Sequence, residues 1–271
     1  MMKSIAMSLC LVATTSFAAT TTSSTQVDIS KKSFKDRLTG YYFGEIASDT
    51  LSTEEGDAAD NAFANYFNIG YKISNDTKIS TTTIFKIVDS NDENGKGDRF
   101  VESDQRVALG STIFKKDKTT LKAGLRMDLP TSRGSQDKDK IIRIRPNASV
   151  GYKFDDYNNI EYWTGFYKDI YQQAESSVDE TSRHFLLNEI TYYNTYLSEN
   201  YAFKLVYDGY LEHVPGTADN NIRKDDTTEA IYVGIETEVA GMTLNPYLAH
   251  NPSAMRATNK LGGGISLFKS F

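Results

Sequence analysis

Residues 260–271 read KLGGGISLFKSF, and this stretch decides the fold. Successive side chains of an extended strand point to opposite sides, so Leu261, Gly263, Ile265, Leu267 and Phe271 share one face. Gly262, Gly264, Ser266 and Ser270 fall on the other. No polar tail follows the final aromatic. A soluble protein gains little by burying a terminal carboxylate beside an apolar strand. A strand that closes a membrane barrel, by contrast, needs a lipid-facing residue at every second position and an aromatic at the water interface.

This ending resembles the C-terminal strand of Gram-negative outer-membrane β-barrels. The resemblance implies that Phe271 is part of the signal read by the barrel-assembly machinery. It also places the protein in the outer membrane, in contact with lipid and lipopolysaccharide. Lys269 departs from the pattern, since it sits on the lipid-facing parity where the family has an apolar residue. Next to the end of the strand it can snorkel to the headgroups.

The other end of the sequence agrees. Residues 1–18 carry Lys3, an apolar core from Ile5 to Ala13 and the pattern Ser16-Phe17-Ala18, which is the layout of a secretory signal peptide. The apolar run is too short for a membrane anchor. Cys10, the one cysteine, lies inside it, so the expected mature chain offers no disulfide, thiolate metal site or cysteine nucleophile. Residues 19–33 are polar and of low complexity, and are expected to form a flexible periplasmic lead-in. Removing 18 residues from 271 leaves 253, enough for one large β domain over 34–271.

Seventeen Tyr and 14 Phe favour strands, and the net charge of −6 argues against nucleic acid as a partner. Tight polar turns recur near 75–76, 116–117, 155–158, 198–200 and 240–241. Longer polar stretches lie between them at 48–60, 89–99, 131–140, 173–182, 213–227 and 251–258. Short periplasmic turns alternating with long extracellular loops predict a closed antiparallel transmembrane barrel of twelve strands. The clearest alternation is at 121–129, where Leu121, Ala123, Leu125, Met127 and Leu129 oppose Lys122, Gly124, Arg126 and Asp128. Residues 142–154 match it, and 63–73, 201–211 and 231–239 alternate as well. Residues 184–197 are apolar on both parities and take no orientation. Pro146 and Pro246 are each expected to mark a bulge or a strand end, because proline removes a ladder bond. A soluble sandwich or lipocalin-like barrel also alternates. It accounts for neither the loop asymmetry nor the aromatics near the turn side (Tyr71, Phe114, Phe154, Tyr162, Tyr196, Tyr201).

If the apolar parity faces lipid, the other parity lines the lumen. Lys86, Arg106, Lys122, Arg126, Arg143 and Arg145 then form a mainly basic wall, with Glu102, Asp104 and Asp128 as exceptions. Glu161, Asp169, Asp208, Glu212 and Glu236 form a mainly acidic wall, with Lys204 as its exception. A transverse field of that kind sets ion preference in a water-filled constriction. Asp169 and Asp208 are the carboxylates expected across the lumen from the arginines. The competing reading pairs these charges across neighbouring strands, simply filling a narrow lumen.

The expected function is a porin that passes small hydrophilic solutes or ions, as a monomer and without cofactor or metal. A structural or adhesin-like barrel with a plugged lumen is the alternative. Length and strand number are similar to outer-membrane phospholipase A. His184, His213 and His250 form no matching motif, however, and no catalytic residue is assigned. Acidic stretches such as Asp49, Glu54, Glu55, Asp57 and Asp60 lack the spacing of a calcium loop.

Overall fold

A computed structural model of the protein describes residues 33–48, 61–89, 99–137, 139–172, 184–198, 201–213, 228–250 and 261–271. The expected signal peptide, nearly all of the lead-in and the acidic stretches at 49–60 and 173–183 lie outside them. Ser33 caps one helical turn, α1 (Phe34–Arg37). Its hydroxyl accepts from the Asp36 N–H, and the Asp36 carboxylate accepts from the Ser33 N–H.

The strands that follow are β1 (Leu38–Ser48), β2 (Asn61–Lys72), β3 (Thr77–Asp89), β4 (Arg99–Glu102), β5 (Gln105–Lys116), β6 (Thr119–Leu129) and β7 (Lys140–Lys153). Then come β8 (Asn158–Tyr171), β9 (His184–Ser198), β10 (Tyr201–His213), β11 (Thr228–Val239), β12 (Met242–His250) and β13 (Leu261–Ser270). A second helical turn, α2 (Arg133–Gln136), lies between β6 and β7. Neighbours pair antiparallel in chain order, and β13 pairs with β1, so the sheet closes into a barrel. The short β4 adds no wall position. It pairs with the outer end of β3 at Phe85–Val88, whereas β5 pairs with Thr77–Thr82. Together β4 and β5 form one wall strand interrupted at Ser103–Asp104, where the Ser103 N–H donates to the Ile84 carbonyl at 3.1 Å. Twelve wall positions result, as the turn spacing predicts.

The short connections are built from residues that tolerate tight geometry. Ala240 and Gly241 have φ of +51° and +72°, the left-handed pair of a type I′ hairpin. Asp155 accepts from the Tyr157 and Asn158 N–H groups at 2.8 and 2.7 Å, closing the turn between β7 and β8.

Register fixes which way each side chain points. Ile46, Phe67, Ile69, Leu125, Val150, Phe166, Leu205, Val233, Leu248 and Ile265 are exposed on the outer, lipid-facing side. Phe43, Glu45, Tyr66, Thr82, Asp128, Arg145, Ser149, Asp169, Tyr232, Asn245 and Ser266 are buried on the inner side. The register also orients β9. Thr191 is buried and opposes Val206 on the inner face, while Ile190 is exposed outside. Lys269 pairs with Tyr42 on the outer parity. Phe268 points inward and packs on the cluster of Phe43, Ala64, Tyr66 and Ile84.

The prolines behave differently from expectation. Neither marks a bulge or a strand end. The β7–β8 pairing skips positions 145 and 146 and resumes in the same register, from Ile144↔Lys168 to Asn147↔Gly165. On the β11 side of Pro246 it likewise runs from Gly234↔Tyr247 to Thr237↔Leu244 without slipping. The missing N–H leaves a local gap in one ladder, and the other flank stays paired, as in Pro246↔Ile265. Register shifts occur instead at Thr112/Phe114, Lys140/Ile142 and Tyr201/Phe203.

Closure is completed at Phe271. Its carbonyl accepts from the Gly40 N–H at 2.9 Å, and its N–H donates to the Gly40 carbonyl at 3.0 Å. Its ring covers Gly40, where a Cβ would collide with the ring and force it to move. Deleting Phe271 removes two backbone bonds and this cover. The truncated chain is expected at strongly reduced levels in the outer membrane, with the refolded barrel less stable by about 1–3 kcal/mol. Heat-modifiable migration in SDS gels reads both effects. Gly40→Leu is expected to act in the same direction, and wild-type levels of the truncated chain would show that closure does not depend on Phe271.

Candidate functional site: the inner wall of the barrel

The inner face of β5–β8 carries a run of charges, because Arg106, Arg126, Asp128, Arg143, Arg145 and Asp169 share the lipid-excluded parity and lie close in register. Asp128 is its centre. The Arg126 guanidinium binds both Asp128 oxygens at 2.7 Å, and Arg106 approaches the same carboxylate at 3.8 Å. One strand further on, Arg143 binds Asp169 through two bonds of 2.6 and 2.7 Å. The Lys140 ammonium joins this pair to the rim, 3.7 Å from Asp169 and 3.1 Å from Asp104. Asp104 in turn accepts from the Ser132 N–H and hydroxyl and from the Ser135 hydroxyl, which ties the α2 segment to the wall. Lower on the same wall, Lys122 reaches Glu161 at 3.4 Å.

Aromatic rings complete the coordination of the guanidinium groups. Arg145 is 1% exposed and lies between the Trp163 and Tyr167 rings, 4.4 and 4.6 Å from their centroids. Gly165, two residues from each ring, leaves the space they occupy: a Cβ there would meet Trp163 and the Arg145 Nε. Arg143 also lies over Tyr167, and Arg106 over Tyr66 on β2. Each desolvated stack of this kind contributes on the order of 1–2 kcal/mol.

The remaining wall is richer in rings than in charges. Val206, Ala230, Tyr232 and Tyr247 form one buried cluster on β10–β12. Phe43, Ala64, Tyr66 and Ile84 form another on β1–β3. Glu45, 2% exposed, accepts from the Tyr247 hydroxyl at 2.7 Å and lies in the field of Lys86 and Lys204. Glu236 accepts from the Tyr193 hydroxyl at 3.0 Å.

All ten residues named from the sequence as lumen-facing lie on the inner parity: Lys86, Arg106, Lys122, Arg126, Arg143, Arg145, Glu161, Asp169, Asp208 and Glu236. Their expected separation into a basic wall facing an acidic one does not hold. Asp169 does not stand across the lumen; it is on the strand beside Arg143 and is chelated by it. Glu161 likewise pairs with Lys122 on the same wall. Antiparallel neighbours bring these charges within a side-chain length, and pairing removes the cost of leaving a guanidinium uncompensated. Sequence reasoning treated Asp128 as an exception when it is the hub, and it missed Glu45, Trp163 and Tyr167 altogether. Around Glu45 both parities carry aromatics (Tyr41 and Phe43 against Tyr42), so alternation alone gave no face.

Asp128→Ala leaves the partly buried Arg106 and Arg126 without their shared carboxylate. The variant is expected to lose about 3 kcal/mol against thermal or urea unfolding in detergent. Asp128→Asn should lose less, and an unchanged midpoint in both would mean that water already screens the cluster.

No protein-family profile and no curated protein matches the sequence. The fold, however, is shared with solved structures. An outer-membrane channel of Pseudomonas putida F1 superposes with a TM-score of 0.59 at 10% identity, covering 86% of this chain and 95% of its own. The NanC porin superposes at 0.55 with 10% identity, covering 84% and 97%. The chain is therefore a twelve-stranded closed barrel with the fold of outer-membrane channels and porins.

Proposed function

We propose that the protein is a channel for passive diffusion of small hydrophilic solutes or ions, its path lined by Lys86, Arg106, Lys122, Arg126, Arg143, Arg145, Glu161, Asp169, Asp208 and Glu236. One observation carries this reading: three cations of the ion-paired run on β5–β8 keep part of their surface open to the lumen. The Lys122, Arg143 and Arg106 side chains are 47%, 28% and 21% exposed inside a closed barrel. A barrel filled only for stability gains by placing apolar residues there, since each desolvated ion costs several kcal/mol. Charges that keep part of their hydration cost little and offer a solute successive exchange partners. The named wall sets six cations (Arg106, Lys122, Arg126, Lys140, Arg143, Arg145) against four carboxylates (Asp104, Asp128, Glu161, Asp169), a surplus that favours anions. The same reading has lipid and lipopolysaccharide around the outer face, the barrel-assembly machinery as reader of Phe271, and a monomer as the working unit.

A structural or surface-recognition barrel is the second reading. The near-complete burial of Arg145 and Glu45 favours it, because a wide aqueous pore would wet both. Single-channel recording of the refolded protein in a planar bilayer separates the two: discrete conductance steps support the channel, and a folded wild-type barrel without current supports the structural role. In a conducting barrel, replacing Arg126 and Arg143 together by Ser leaves Asp128 with Arg106 and Asp169 with Lys140. Reversal potentials in a salt gradient are expected to move toward cation selectivity, the cation-to-anion permeability ratio rising about twofold or more. An unchanged ratio would remove the β5–β8 charges from the permeation path.

A further inference from the structure

A single carboxylate holds the α2 segment at the long-loop end of the barrel. Asp104 accepts from the Ser132 N–H at 3.1 Å, the Ser132 hydroxyl at 2.7 Å and the Ser135 hydroxyl at 2.6 Å. The Lys140 ammonium, 3.1 Å from Asp104 and 3.7 Å from Asp169, fixes the same carboxylate from β7. Asp169 is buried on the inner face of β8, so this cluster lies on the lumen side of the rim. Both feet of the segment are pinned as well. The Gln105 N–H donates to the Thr131 hydroxyl at 2.8 Å, and the Gln172 N–H donates to the Asp139 carbonyl at 2.9 Å. The segment thus runs from the first residue of β5, past the ends of β6 and β7, to the residue after β8.

A hold of this kind can be released. α2 buries Ser135 and no apolar side chain, while Arg133 points away from the wall with its side chain 94% exposed and 3.8 Å from Asp137. A segment without apolar packing opens locally at far lower cost than the barrel around it. Three of its bonds end on the Asp104 carboxylate, so they are made and lost together. The interruption of the wall strand serves the same contact. With Ser103–Asp104 outside the β3 ladder, Asp104 is given to α2 instead of to a neighbouring strand. We propose that Asp104 is the latch of a gate: bound to it, α2 is a strap that narrows the mouth from the lumen side, and its release widens the mouth.

The gate rests on the channel reading, so latch and conduction are measured separately on the full-length refolded protein. Two variants release the strap: Asp104→Ala, and Ser132→Ala with Ser135→Ala, which removes side-chain bonds and no charge. Heat-modifiable migration checks the folding of each. Tryptic cleavage after Arg133 follows the local opening of α2. It is expected to be at least about tenfold faster in both variants, the effect of losing hydrogen bonds to a charged group. Single-channel conductance in potassium chloride is expected to rise in both by about 1.5-fold or more. A rise in Asp104→Ala alone would assign the effect to charge and overturn the strap. Unchanged conductance in both variants overturns it too, as do wild-type cleavage rates, and a conducting barrel then leaves the channel standing. Current from the variants beside a silent wild type supports the gate. Silence of all three proteins sinks the channel and the gate with it, and faster cleavage then leaves Asp104 as a loop anchor only.

Discussion

Backbone hydrogen bonding where no water can help is the constraint on which the rest of this structure depends. In hydrocarbon each unpaired N–H or C=O costs several kcal/mol, so the sheet cannot end in an edge. The β1–β13 ladder, completed by the Gly40–Phe271 pair, removes that edge. Once the ring is closed, register becomes rigid. A slip of one residue would turn every side chain of a strand to the other face. For β7 that would put Arg143 and Arg145 into lipid, at roughly 2–4 kcal/mol each near the bilayer midplane. A proline leaves one carbonyl without its ladder partner, whereas a slip would misplace every side chain of the strand, so Pro146 and Pro246 leave gaps without register shifts and the shifts fall instead near strand ends such as Lys140/Ile142 and Tyr201/Phe203.

The fold was largely legible in the sequence because the lipid face obeys a rule with few exceptions. Where the inner face was polar, as in β6 and β7, alternation gave the orientation residue by residue. Where it was aromatic the rule failed. Tyr41 and Phe43 point inward beside Tyr42 on the outer parity, Phe268 points inward in the closing strand, and β9 is apolar on both sides. A tyrosine suits lipid interface and lumen alike, so its type says nothing of its side. Interruption of a wall strand into β4 and β5 left no mark in the pattern either, because Ser103 and Asp104 are ordinary polar residues.

The candidate site was legible as a face and not as a set of contacts. Period-two reading tells which residues look inward. It does not tell how far a guanidinium reaches along or across strands. Arg126 turns back to Asp128 two residues on, and Arg143 crosses to Asp169 on the neighbouring strand. Arginine cannot shed its charge by deprotonation, so four of them on three adjacent strands require partners close at hand. Carboxylates on the far side of the lumen would compensate only through intervening water. Near neighbours do so through paired, directional bonds, and these prevail.

The result is an interior divided by chemistry and not by the sign of charge. Along β5–β8 the groups are mainly ionic, with Asp128 and Asp169 buried under their arginines and Lys122, Arg143 and Arg106 partly exposed. Along β10–β12 and β1–β3 they are rings that bury a few polar atoms among them. The stack of Trp163, Arg145 and Tyr167 joins the two kinds of surface, because a guanidinium is at once a charge and a flat plate that packs against rings.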